Sequence, residues 1–97
     1  LVARLGNLDG LILENHGPLV AGRSVAEAWM LMHILERAAQ AQLRAMAASG
    51  GVVQAVSPEL GALTQRQWVG DGSEWDGDLE WPALLRRLDR QTMDYRD

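Results

Sequence analysis

The sequence predicts an α/β chain of the α+β type, with two short adjacent strands, a long helix covering them and two further helices toward the C-terminus. Three observations carry this. Residues 11–13 and 19–21 are short aliphatic runs of strand length on either side of a polar hinge containing Asn15, His16, Gly17 and Pro18. Ser24-Val25-Ala26-Glu27 is a capping-box sequence opening a stretch without a helix breaker until Gly50-Gly51. Ser57-Pro58-Glu59 and Trp81-Pro82 each mark a later helix start.

Taken in order, Leu1, Val2, Leu5 and Leu8 have helical spacing, broken by Gly6 and Asn7, and read as the last turns of a helix. Asn7, Asp9 and Gly10 form the turn into a strand over 10–14. That strand is apolar without alternation, which predicts burial on both faces. The second strand runs over 18–21 and closes at Gly22.

The long helix extends from Ser24 to about Ser49. Val25, Ala28, Trp29, Met32, Leu35, Ala39, Leu43 and Met46 fall on one broad apolar face. Met30, Leu31, Ile34, Ala38, Ala41 and Ala45 cover much of the opposite side, with a narrow polar stripe of His33, Arg37, Gln40 and Arg44. A helix apolar on two sides is expected between a sheet and a second helix or subunit, which argues for a homo-oligomer. Residues 52–56 suit a short strand or extended segment. Ser57 then caps a helix to about Trp68, weakened by Gly61. Residues 70–78 form an acidic loop around Trp75; their spacing does not match a calcium-binding EF-hand. The last helix, about 81–91, has Trp81, Leu84, Leu85 and Leu88 on one face and Arg86, Arg87 and Arg90 in its later turns. With Arg96, these arginines suit either an anionic phosphate or the chain's own excess of acids.

The 97 residues bound one domain, residues 1–97, small for an independent core. A net charge of −4 argues against a sequence-independent nucleic-acid surface. No apolar run approaches the roughly 20 residues that span a bilayer, and the start carries no signal-peptide pattern. The expectation is a cytoplasmic protein that engages neither nucleic acid nor membrane. The lack of cysteine removes disulfides, thiolate ligands and a cysteine nucleophile together. The first residue, Leu1, suits a fragment or a processed chain.

His16 is one of two histidines. At a strand end, held by turn formers, it suits metal binding or proton transfer, and equally a buried hydrogen-bonding role. A metal site needs three or four converging ligands. Glu36 falls within the main apolar face and reads as an ion-paired carboxylate or one reaching water, with a base or metal-supporting role as the alternative. His33 reads as a solvated surface residue.

The run Asn15-His16-Gly17, followed by PLVAGRSVAEAW and LERAAQAQLRAM, resembles the C-terminal half of the class II aldolase/adducin family. The ending EWPALLRRLDR with Asp94-Tyr95-Arg96-Asp97 resembles the tail of its bacterial members. The resemblance implies an antiparallel sheet flanked by helices, here an incomplete domain, and a homo-oligomer of tetrameric pattern with sites near subunit interfaces. It implies a divalent metal, zinc first with manganese, iron or cobalt as alternatives, and assigns His16 as one metal ligand. Asn15 and Gly17 would shape its turn. Active members carry an upstream H-x-H pair and an upstream glutamate, and this chain contains no H-x-H. The implied chemistry is carbon–carbon bond cleavage or related enediolate chemistry on a small, sometimes phosphorylated, sugar or oxo acid, dependent on those upstream residues. The alternatives are a non-catalytic adducin-like assembly module and an inactive fragment.

Overall fold

The computed structural model describes residues 2–69 and 77–96. Helix α1 (Val2–Leu5) leads into a hairpin of β1 (Gly10–Leu13) and β2 (Gly17–Val20). Helices α2 (Val25–Ala48), α3 (Pro58–Val69) and α4 (Glu80–Asp89) follow, with a 3-10 turn at Asp94–Arg96. The acidic loop expected at 70–78 lies almost wholly outside the described residues. Residues 52–57 carry no regular structure and are exposed.

The hairpin is antiparallel, pairing Gly10 with Val20, Leu11 with Leu19, Ile12 with Pro18 and Leu13 with Gly17. The Ala21 N–H donates to the Asp9 carbonyl (3.0 Å). Hydrogen-bonded and non-hydrogen-bonded pairs alternate in such a ladder, so Ile12 and Pro18 form a non-hydrogen-bonded pair. Proline is tolerated there because its missing donor faces away from the partner strand.

Ser24 caps α2 as the sequence predicts, its hydroxyl accepting from the Glu27 N–H (3.1 Å). The return half of the box is displaced by one residue. The Glu27 carboxylate takes the backbone N–H of Arg23 and also its guanidinium, with Nη2 to Oε1 at 2.9 Å. At the other end, the Gly51 N–H reaches the Met46 carbonyl (2.7 Å) while Gly50 and Gly51 both take positive φ. That is the Schellman arrangement, which satisfies carbonyls the helix leaves unpaired. In α3, the Ser57 hydroxyl accepts from the Leu60 N–H (3.2 Å) and Pro58 occupies the first helical position.

The first half of α2 lies between the hairpin and α4. Leu31, Ile34, Leu35 and Ala38 face the hairpin across an apolar groove of about 380 Å³, which Asp9, Gly10, Leu11, Ile12 and Val20 complete. On the other side, Trp29 meets Trp81 with ring centroids 6.5 Å apart. Gly22 and Gly77 let backbone approach α2 closely, since a Cβ at either would lie 2.6 Å from a backbone atom of Ala28 or Ala26.

The described core is small. Ala26 and Met30 are its buried hydrophobic side chains. Ile12 is 77% exposed, so the burial of the first strand on both faces that its aliphatic run predicts is not reached by two strands and one helix. From Glu36 to Ala45 every residue of α2 is exposed, as is every described side chain of α3. The chain exposes 8251 Å², against about 5,500 Å² for a folded monomer of this mass. Its radius of gyration is 16.4 Å, against about 12–13 Å for a compact domain of this length. The two apolar sides of α2 are therefore covered only over its first half.

Candidate functional site at the hairpin turn

Three residues, Glu14, Asn15 and His16, join the strands. The His16 N–H closes the turn onto the Leu13 carbonyl (3.3 Å), and Asn15 sits at φ +60°. A positive φ at this position is what a type II turn requires, and asparagine tolerates it better than most side chains. Gly17 follows at φ +103°, where a Cβ would be strained. The residues beside the histidine are thus those that the bend demands.

The imidazole is exposed, and its Nδ1 lies 3.0 Å from the Glu14 backbone carbonyl. A carbonyl oxygen only accepts, so Nδ1 carries the hydrogen. In the neutral ring the lone pair then belongs to Nε2. A backbone carbonyl on one ring nitrogen orients histidines that ligate a metal through the other. The donor presented here suits zinc, manganese, iron or cobalt. Among the described residues, no group of three histidine, aspartate or glutamate side chains converges to hold an ion.

The other residues weighed from sequence lie elsewhere. Glu36 is exposed on α2, in agreement with a carboxylate reaching water. His33 is half-buried and stacks on Trp29, with ring centroids 4.9 Å apart and planes 10° from parallel, and is not a solvated surface residue. With Met30, Glu80, Ala83, Leu84 and Arg87 these rings line a second hollow of about 330 Å³ between α2 and α4. The four-residue spacing of Trp29 and His33 was the available signal for that stack. Arg96 pairs with Asp89 (Nη2 to Oδ2, 2.6 Å), and Asp89 also accepts from the Tyr95 hydroxyl. Hydrogen bonding to Tyr95 first, and the Asp89 charge next, hold the Arg96 guanidinium above its ordinary pKa. For Arg96, the reading in which the chain's own acids take up the arginines is the one realised.

The model of the class II aldolase and adducin N-terminal domain matches residues 1–43. A protein of Caulobacter vibrioides provisionally named as a class 2 aldolase is 39% identical over 97 residues, all of this chain and 37% of its own length. A similarly named protein of Pseudomonas aeruginosa is 40% identical over 104 aligned positions, covering 99% of this chain and 38% of its own. Alpha-adducin of Rattus norvegicus is 36% identical over 89 positions, 81% of this chain and 12% of its own. The chain belongs to the class II aldolase/adducin family. It spans little more than a third of the length of the bacterial relatives. No solved structure gives a match. No helix among the described residues is long and apolar enough to cross a membrane.

Proposed function

We propose that residues 1–97 are the C-terminal part of a class II aldolase-like domain that takes part in metal-dependent carbon–carbon lyase or related chemistry on a small sugar or oxo acid. The observation that supports it is the His16 ring, tethered through Nδ1–H to the Glu14 carbonyl with Nε2 left as a donor on an exposed turn. A divalent metal, when bound, supplies Lewis-acid polarisation of a substrate oxygen. The chain's own contribution is to present Nε2 and fix its direction. Asn15 and Gly17 hold the bend that does so. The remaining ligands and the acid/base come from a segment outside these residues or from another subunit of a homo-oligomer. Zinc is the metal we favour.

The alpha-adducin likeness supports a second reading, an assembly module in which the fold is kept without catalysis. One experiment separates the two. Metal content is measured on the purified protein carrying the segment proposed to supply the remaining ligands, and on its His16→Ala variant. Near-stoichiometric metal that is lost in the variant supports the enzyme reading. Absence of metal from both, after growth with added zinc and manganese, overturns the ligand role and favours the assembly module.

A further inference from the structure

The two hollows beside the first half of α2 differ in chemistry. That toward the hairpin is faced by the aliphatic side chains Leu31, Ile34, Leu35 and Ala38 of α2. That toward α4, of about 330 Å³, combines the Trp29–His33 stack with Glu80 and Arg87. Aliphatic lining is what packing requires. A few convergent polar groups over an aromatic and apolar surface, in about 300–1,000 Å³, are what small-molecule sites have. On α4 the lining residues Glu80, Ala83, Leu84 and Arg87 follow the spacing of one helix face. The backbones of Glu80 and Arg87 are thus two turns, about 10 Å, apart, with apolar surface between them. Among the described residues neither side chain forms an ion pair or hydrogen bond, and no hydrogen bond reaches the His33 ring. No buried side-chain polar atom among those residues lacks a partner, so these groups open on solvent, within reach of a guest. Arg96 is taken up by Asp89, whereas Arg86, Arg87 and Arg90 form no ion pair among the described residues. The helix dipole favours cations in the last turn of α4, but it does not account for a guanidinium lining a hollow beside stacked rings.

We propose that the hollow between α2 and α4 binds a small heteroaromatic anion of the nucleoside monophosphate type. Its flat ring lies against the stacked rings of His33 and Trp29. An amino group on the ring donates to the Glu80 carboxylate, which can only accept. The phosphate at the molecule's other end accepts from Arg87, whose planar fork of donors matches phosphate geometry. The order of groups along α4 is acceptor, apolar surface, cation. That is the complement of amino group, ring and sugar, phosphate. An inorganic anion would engage Arg87 and leave the rings and Glu80 unused, and an uncharged nucleoside would leave Arg87 without a partner. The lining residues all belong to α2 and α4, so the site does not draw on the hairpin or on His16, and the inference is independent of the metal reading.

The test is titration with adenosine monophosphate of the protein carrying the segment proposed to supply the remaining metal ligands. A chelator is present, so that phosphate held by a metal does not enter. Tryptophan fluorescence and the His33 ring resonances follow binding. Adenosine, inorganic phosphate and inosine monophosphate, which has a carbonyl where adenine has its amino group, are compared. Each lost charge-assisted hydrogen bond should weaken binding about tenfold. The expected order is therefore adenosine monophosphate tightest, with each of the other three about tenfold weaker or more. Arg87→Gln should weaken adenosine monophosphate about tenfold and leave adenosine unchanged. Glu80→Gln should narrow the gap between adenosine and inosine monophosphates. Both residues are exposed, and circular dichroism checks that the variants fold. If one does not, the comparison of ligands on the parent protein decides. No saturable binding of adenosine monophosphate, phosphate binding as tightly as the nucleotide, equal binding of the two nucleotides, or a folded Arg87→Gln with unchanged affinity overturns the proposal.

Discussion

Asn15 and His16 divide the work of the hairpin turn: Asn15 takes the left-handed backbone conformation, and that bend brings the next residue's imidazole back onto the Glu14 carbonyl at 3.0 Å. The orientation of the ring is therefore coupled to the backbone one residue earlier.

Asn15→Val should break that coupling. A β-branched residue in the left-handed region costs about 1–2 kcal/mol, whereas Asn15→Gly should cost little. Proton exchange and the ring resonances of His16 measure the local effect, and denaturant midpoints the global one. An Asn15→Val protein with unaltered His16 resonances would contradict it.

Glycine substitutions should act with opposite signs at two places. Gly61 lies inside α3 with no atom within 4 Å of a Cβ and no positive φ, so Gly61→Ala should raise the helicity of α3 and stabilise it by about 0.5–1 kcal/mol. Gly77→Ala places a methyl group 2.6 Å from the Ala26 carbonyl oxygen at φ +82°, and should loosen α4 from α2. A red shift of tryptophan emission, as Trp29 and Trp81 gain water, is the readout.

Ser24→Ala removes the hydroxyl that caps α2 and should cost about 0.5–2 kcal/mol. Thermal unfolding measures it. Ser24→Asp should retain most of the stability, because a carboxylate accepts the same N–H and carries a favourable charge at a helix start.

Glu27 should make stability acid-sensitive. Side-chain and then backbone hydrogen bonds from Arg23 hold its carboxyl below the ordinary glutamate value of 4.5. A carboxyl whose folded pKa is depressed contributes stability that is complete above the unfolded pKa and is lost as pH falls through the folded one. Unfolding followed from pH 7 downward should show this loss beginning below about 4.5, and Glu27→Gln should flatten that part of the profile.

The strands, the cap at Ser24, the stop at Gly50-Gly51 and the start at Ser57-Pro58 were legible because each depends on residues close in sequence. The place of Pro18 was less so. It reads as a turn former and as a strand start, but which side of the ladder its missing donor faces depends on register, and register is set across strands. The stack of His33 on Trp29 escaped the polar-stripe reading because wheel position says nothing of which neighbour a ring lies against. Burial of the first strand on both faces was inferred from its aliphatic run, and among the described residues no second layer completes it. The ligand role proposed for His16 came from a family resemblance, and the bond from Nδ1 to the Glu14 carbonyl is a geometric feature that a sequence does not display.

The segment between α2 and α3 has a consequence for how the exposed apolar surfaces meet. Residues 52–57 extend over at most about 20 Å, so α3, with Leu60, Leu63 and Trp68 each more than two-fifths exposed, is confined near the bare second half of α2. Such a tether holds the two at an effective concentration in the millimolar range. Contacts of either surface with an outside partner are weighed against that intramolecular competitor.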